Sequence, residues 1–309
     1  MTLALDLALC ALIVCVSLAT VAGGGIFRAI IFFITYGLFL AIGWARLGAF
    51  DVALAEAAIG AGLTGVLLLA AHGRLRRMRT KAVVQRTGLN LPAALAATAM
   101  TGALGWAWFA LPAPSVPDLS QSIAQTGVGN PVTAVLLNFR AWDTLLESIV
   151  LLAALLGVWM LAREEDWNTP LGPRYHALSG GVLVGFGRLL PPVGLIFGAY
   201  LVWAGAESVG GAFQGGTVLA AVGLVALMAN VLPAPSISQA GLRIALVLGP
   251  GVFLCTGLLA AALGSDFLSI APEVAKAMIL TIEIALSISI AVTLALLVLG
   301  PPVDTQGAP

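Results

Sequence analysis

A glutamate well inside a long apolar run is costly to keep, because a charge in a membrane helix costs roughly 2.5–3.5 kcal/mol on insertion scales. The run GAFDVALAEAAIGAGLTGVLLLAA, residues 48–71, holds two carboxylates, Asp51 at its mouth and Glu56 one and a half turns deeper. Gly60, Gly62 and Gly65 follow. Small residues let another backbone approach or let the helix unwind locally. A single π-type turn there would rotate Glu56 relative to its neighbours. Glu56 is suited to take and release a proton or help hold a sodium ion; a structural hydrogen bond to a neighbouring helix is the plainer role. Asp51 either handles ions or caps its own helix, where a carboxylate suits the helix dipole.

Four further features invite chemistry. Arg140, Asp143 and Glu147 have i, i+3, i+7 spacing and so share a helix face. Arg140 can pair with Asp143, leaving Glu147 about 6 Å deeper. The set reads as an acid relay entering from outside, or as an interfacial ion pair plus one carboxylate bonded to a neighbouring chain. Gln214 lies among Gly210, Gly211, Gly215 and Gly216. It offers an uncharged oxygen to sodium, while the glycines suit tight helix packing. Lys276 and Glu283 lie two turns apart, with Lys276 near the outer interface and Glu283 deep. Arg188, a turn before Pro191-Pro192, snorkels inward or lines a cavity.

The elements that must position these residues follow from composition. The chain has 309 residues, 60% of them hydrophobic and 9% charged, which demands a polytopic all-α membrane protein. Alternating strand patterns are absent, against a barrel. Zero net charge gives nucleic-acid binding no support. Cys10, Cys15 and Cys255 sit in apolar runs without metal-ligand spacing, and His72 and His176 sit at loop edges. No metal or other cofactor is expected, and no catalytic motif marks an enzyme. Asp6 and the lack of a basic start favour a retained first helix over a signal peptide.

Hydropathy predicts about nine transmembrane helices, near 4–22, 26–45, 48–71, 91–112, 141–162, 180–204, 211–231, 241–263 and 274–300. The sixth is expected to break or kink at Pro191-Pro192. Residues 131–139 are a candidate surface-lying segment. The basic loop with Arg74, Arg76, Arg77, Arg79, Lys81 and Arg86 places the third helix end in the cytoplasm, giving an outside N-terminus and a cytoplasmic C-terminus. Breaks suggest three modules, 1–87, 88–170 and 171–309.

Three blocks carry a family resemblance. FFITYGLFLAIGWARLGAFDVALAEAAIGAGLTGVLLL is similar to a three-helix segment near the C-terminal end of the A subunit of Mrp-type sodium/proton antiporters, and to a subunit of membrane-bound hydrogenases. NPVTAVLLNFRAWDTLLESIVLLAALLGV resembles the two-helix segment that follows it in those subunits. RLLPPVGLIFGAYLVWAGAESVGGAFQGGTVLAA resembles the start of the four-helix B subunit. The chain thus looks like a fusion of the C-terminal region of the A subunit with the B subunit. Ala206, Val209 and Ala212 stand where the family carries a histidine, a proline and a third glycine.

The resemblance implies a place in a large hetero-oligomer of the bacterial inner membrane, related to the proton-pumping arm of complex I. Partners would be large antiporter-like subunits and lipid, and the ions Na+ and H+. With only Lys81 and Lys276 as lysines, and no inverted repeat, the chain is not expected to form a whole antiport path. The alternatives are a membrane component of a redox-driven ion pump and a non-conducting scaffold.

Overall fold

The computed structural model describes residues 2–22, 24–77, 91–112, 120–162, 181–233, 235–236, 238–263 and 266–301. Among these the chain is all-helical. Eight helices are long and apolar enough to cross a membrane, and a ninth apolar helix, Ala212–Met228, is 17 residues long. The protein is a multi-pass membrane protein. The module boundaries near 87 and 170, the 163–176 loop, the tail and most of the basic loop lie outside the described residues.

Helix α1 (Thr2–Val21) packs on α2 (Ile26–Arg46). An ion pair between Arg46 and Asp6 joins them at 2.8 Å. The third span is three pieces end to end: α3 (Phe50–Ala55), a π-helical segment (Glu56–Leu63) and α4 (Thr64–Arg77). The wide turn falls where the glycines lower helix propensity. It closes on Thr64, whose N–H and hydroxyl both donate to the Ile59 carbonyl. Helix α5 (Leu91–Ala110) has none of its most apolar window buried.

After α6 (Ser120–Ala124) the chain enters α7 (Pro131–Ala134) and a second π segment (Val135–Phe139), which the sequence pattern did not suggest. One side of this stretch packs into the protein, with Thr133, Ala134 and Leu137 buried. The Arg140 N–H reaches the Val135 carbonyl at 2.7 Å, and the Thr144 hydroxyl satisfies the Leu136 carbonyl at 2.7 Å. Helix α8 (Ala141–Met160) begins at that corner.

The last four helices are α9 (Val182–Ala204), α10 (Ala212–Met228), α11 (Ala240–Ala262) and α12 (Pro272–Leu299). Pro191 and Pro192 lie inside α9, which does not break there; of the expected break or kink, the break is not what forms. Helix α12 is the centre of the fold, with 61% of its most apolar window buried. Ile279, Ile282, Leu286 and Ile290 meet Leu137, Leu145, Phe253 and Ala212 in one core. Helices α8, α10 and α11 all pack on it.

Helix α9 meets α10 along glycines. A Cβ at Gly187 would overlap Ala229, and one at Gly215 would overlap Val202 and stand 2.9 Å from the Gly198 carbonyl. Backbones this close have no room for added volume. Gly215→Val is therefore expected to destabilise the chain by about 1–3 kcal/mol through overpacking. A thermal scan of the purified protein showing an unchanged midpoint would contradict this contact.

The helix ends sort into two groups. Asp51, Asn130, Glu207 and Lys276 meet at one end of the bundle. Arg74 approaches Gly300 at the other, 3.6 Å from where a Cβ would stand. The alternation of spans implied by the sequence agrees with this grouping.

Candidate functional site: a glycine turn held by distant parts of the chain

The segment joining α9 to α10, Gly205–Gly211, folds back so that the Gly211 N–H donates to the Leu201 carbonyl at 2.8 Å. Gly210 and Gly211 have φ of +154° and +128°, where residues with a side chain are strained. A Cβ at Gly205 would stand 2.6 Å from the Gly211 Cα. The sequence forms this turn because glycines occupy the three places where a side chain does not fit.

Three other parts of the chain grip it. From the stretch before α7, the Asn130 side-chain amide donates to the carbonyls of Gly205 at 3.0 Å and Ser208 at 2.7 Å. The Thr133 hydroxyl donates to the Gly205 carbonyl at 2.6 Å. The N–H groups of Gly129 and Asn130 both donate to the Ala206 carbonyl at 3.0 Å. The Asn130 Oδ1 meanwhile caps α7 by accepting from the Val132 N–H at 2.9 Å. From α3, Asp51 Oδ1 accepts the Gly210 N–H at 2.9 Å. The Gln214 Nε2 donates to the Asp51 carbonyl at 3.3 Å. Asp51 therefore ties two distant parts of the chain together and makes no capping bond within its own helix.

From below comes Glu283 on α12, only 3% exposed. Its Oε1 lies 2.9 Å from where a Gly205 Cβ would be and 3.1 Å from where a Gly211 Cβ would be. Its Oε2 is buried with no hydrogen-bond partner. Asp51, on the Gly210 N–H, and Glu283, against Gly205 and Gly211, thus both face the turn. Lys276, two turns before Glu283, pairs instead with Glu207 at 2.7 Å.

Glu56 occupies a separate place. Its carboxylate folds over Gly60 of the π segment, filling the position of that residue's missing side chain. It also reaches α2, where a Cβ at Gly37 would be 3.2 Å from Oε1 and 3.1 Å from the Ala61 Cβ. A glycine on each side thus makes a notch between α2 and the π segment. Gly65 faces Ile34, with 2.7 Å from a would-be Cβ to the side chain, while Gly62 faces only its own helix at Ala57. Gly216 packs on Ile290 and on the Ser287 carbonyl.

Arg140 and Asp143 form an exposed ion pair. Glu147 sits on the same outward face of α8 and is exposed, as is Arg188 on α9. The structure thus brings together Asp51, Gln214, Glu283, Gly210 and Gly211. It keeps Glu56 in its own notch and points Arg140, Asp143 and Glu147 away from the chain. Sequence reasoning missed Asn130 and Thr133; the Asn-Pro pair opening a helix was the available signal.

Residues 182–301 match the family described as "domain related to MnhB subunit of Na+/H+ antiporter". Residues 11–77 match the MbhD family, the D subunit of MBH. The chain thus carries an MbhD-like segment and, after it, an MnhB-related domain. Its fold matches a chain of the Mrp complex from Dietzia sp. DQ12-45-1b over 98% of its length, with a TM-score of 0.75 and 24% identity. It covers 35% of that longer chain. A chain of the membrane-bound sulfane sulfur reductase, an archaeal respiratory membrane complex, matches 66% of the protein with a TM-score of 0.51 and 24% identity. That match covers 96% of the reductase chain. An uncharacterized protein of Methanocaldococcus jannaschii is 31% identical over 116 residues, 33% of this chain and 44% of the relative. The chain thus spans less than half the length of that curated relative. The turn lies at the join in this organisation: Asp51 comes from the MbhD-like unit, Gln214 and Glu283 from the MnhB-related domain.

Proposed function

We propose that the protein is one of the membrane subunits of a hetero-oligomeric cation/proton antiporter complex, with sodium as the cation, in a bacterial inner membrane. It lines part of the ion or proton route where it meets larger antiporter-like subunits. It is part of a transporter and not itself an enzyme. The observation that carries this reading is the set of carboxylates within its spans, Glu56, Glu147 and Glu283, none with a cationic partner among the described residues. Membrane proteins keep such groups chiefly along ion and proton paths. Asp51, Gln214 and the Arg140–Asp143 pair belong to the same route at its mouth.

The test is a sodium pulse to inverted vesicles carrying the whole complex, with proton movement read by a pH-sensitive dye. Sodium-driven proton movement is expected. Its absence, together with iron–sulfur clusters in the purified complex, would favour the second reading, a redox-driven ion pump. The MBH family name and the reductase match support that alternative.

Glu147 adds a claim about partners. An exposed carboxylate within a span is unfavourable against lipid, so a neighbouring chain of the complex covers it. Glu147→Leu is expected to lower the amount of the other subunits that co-purify. A position facing lipid would give equal or higher recovery.

A further inference from the structure

We propose that Glu283, Gln214 and Asp51 form a binding site for one small monovalent cation, sodium-like in its preference for oxygen, above Gly211. This rests on the transport reading and names the site where that ion pauses.

Two side-chain oxygens that converge on Gly211 are the first observation. From where a Cβ would stand, Glu283 Oε1 is 3.1 Å and Gln214 Oε1 3.4 Å away, and these are its two neighbours within 4 Å. The bond from the Gln214 Nε2 to the Asp51 carbonyl turns the amide so that its oxygen faces this point. Glycine at 211 keeps a side chain from that point while holding φ at +128°. The second observation is independent. Glu283 is buried, and its Oε2 has no hydrogen-bond partner. A buried carboxylate needs a compensating positive charge or a proton. Asp51 adds a second negative charge facing the same turn. The two flanking cations are taken or distant: Lys276 pairs with Glu207, about 10 Å up the helix from Glu283, and Arg140 pairs with Asp143.

A bound cation or a proton on Glu283 would each meet this need, and the sodium-binding readout tells the two apart. The site lies at the N-terminus of α10, whose dipole favours an ionised carboxylate. The Glu283 carboxylate and the Gln214 amide oxygen give a hard, oxygen-only donor pair, and Asp51, held on the Gly210 N–H, adds negative charge at the same turn. The site joins the two units, since Asp51 belongs to one and Glu283 to the other. Filling it would pull both onto the turn, and emptying it would leave two like charges facing each other.

The probe is Na+ itself, with binding of radioactive sodium to the detergent-solubilised whole complex as the first readout. The half-saturating sodium concentration for proton movement in inverted vesicles is the second. Gln214→Leu and Asp51→Asn are each expected to raise half-saturation by about tenfold. Glu283→Gln is expected to remove one bound sodium. Where Glu283→Gln does not assemble, judged on a native gel, the Gln214→Leu result decides. Wild-type binding without any transport would sink the antiport reading and leave the site standing. Unchanged sodium binding and half-saturation in the assembled variants would overturn the site whatever the transport result. Altered pH dependence with unchanged sodium binding would also overturn it, showing that the group carries a proton.

Discussion

Glu56→Gln is expected to slow sodium-driven proton movement by about tenfold or more, the effect of roughly 1.4 kcal/mol on a barrier. The substitution keeps the shape of the side chain and removes the titrating group. Shape matters here because the carboxylate fills the place of a Gly60 side chain and touches the Gly37 face of α2. Assembly and thermal midpoint should therefore remain close to wild type, while the rate falls. The notch is cut by the π segment, whose widened turn leaves one residue's worth of slack in the helix. Such turns are rare and favour functional places. A return of Glu56–Leu63 to α-helical pitch would rotate everything on one side of the slack relative to the other. Equal transport rates for Glu56→Gln and wild type, at equal complex levels, would show that the glutamate is a structural fixture between α2 and the π segment. Glu56→Ala provides a contrast: a fixture would lose stability with it, and a proton carrier would lose rate with both variants.

The second large effect concerns stability. Asn130→Ala is expected to cost about 2–4 kcal/mol, summing a lost helix cap of about 1 kcal/mol and two backbone carbonyls deprived of a donor at about 1 kcal/mol or more each. Asn130 is 3% exposed, so solvent does not replace the bonds. The Gly205 carbonyl keeps the Thr133 hydroxyl, whereas no other donor to the Ser208 carbonyl is seen among the described residues. The loss should appear as a lower melting midpoint for the complex and as weaker sodium binding at the turn. Asn130→Asp is a useful second variant. It retains the cap and turns the amide donor into an acceptor, so the two carbonyls would face a repelling oxygen. A midpoint within error of wild type for both variants would mean that the turn holds its shape without the Asn130 side chain.

These two residues mark how far the sequence could be read. The spans could be placed from hydropathy alone, to within two or three residues at most ends, because the membrane acts on each segment locally: about 20 apolar residues suffice. The wide turn at Glu56 was also legible, since glycines clustered behind a buried acid weaken the helix where they stand. The family organisation could be read from three short blocks, each a local string. The second π segment was not legible, because Val135–Phe139 has no glycine and its geometry is decided by packing against α12 and by Thr144 reaching back to Leu136. Pro191 and Pro192 each remove a helix hydrogen bond, yet α9 runs through them where it packs along α10.

By itself, then, the sequence determined the number and extent of the spans, the membrane setting, the family blocks and the roster of intramembrane acids. Only the tertiary structure decided which of those acids meet. Asp51 lies 159 positions from the Gly210 it binds, and Asn130 lies 75 from Gly205. No periodicity or spacing rule reaches that far, because such contacts depend on the mutual docking of helices and not on any one of them. The same docking turned a glycine run that reads as packing into a strained turn, set Glu283 beneath it, and left Glu147 facing outward.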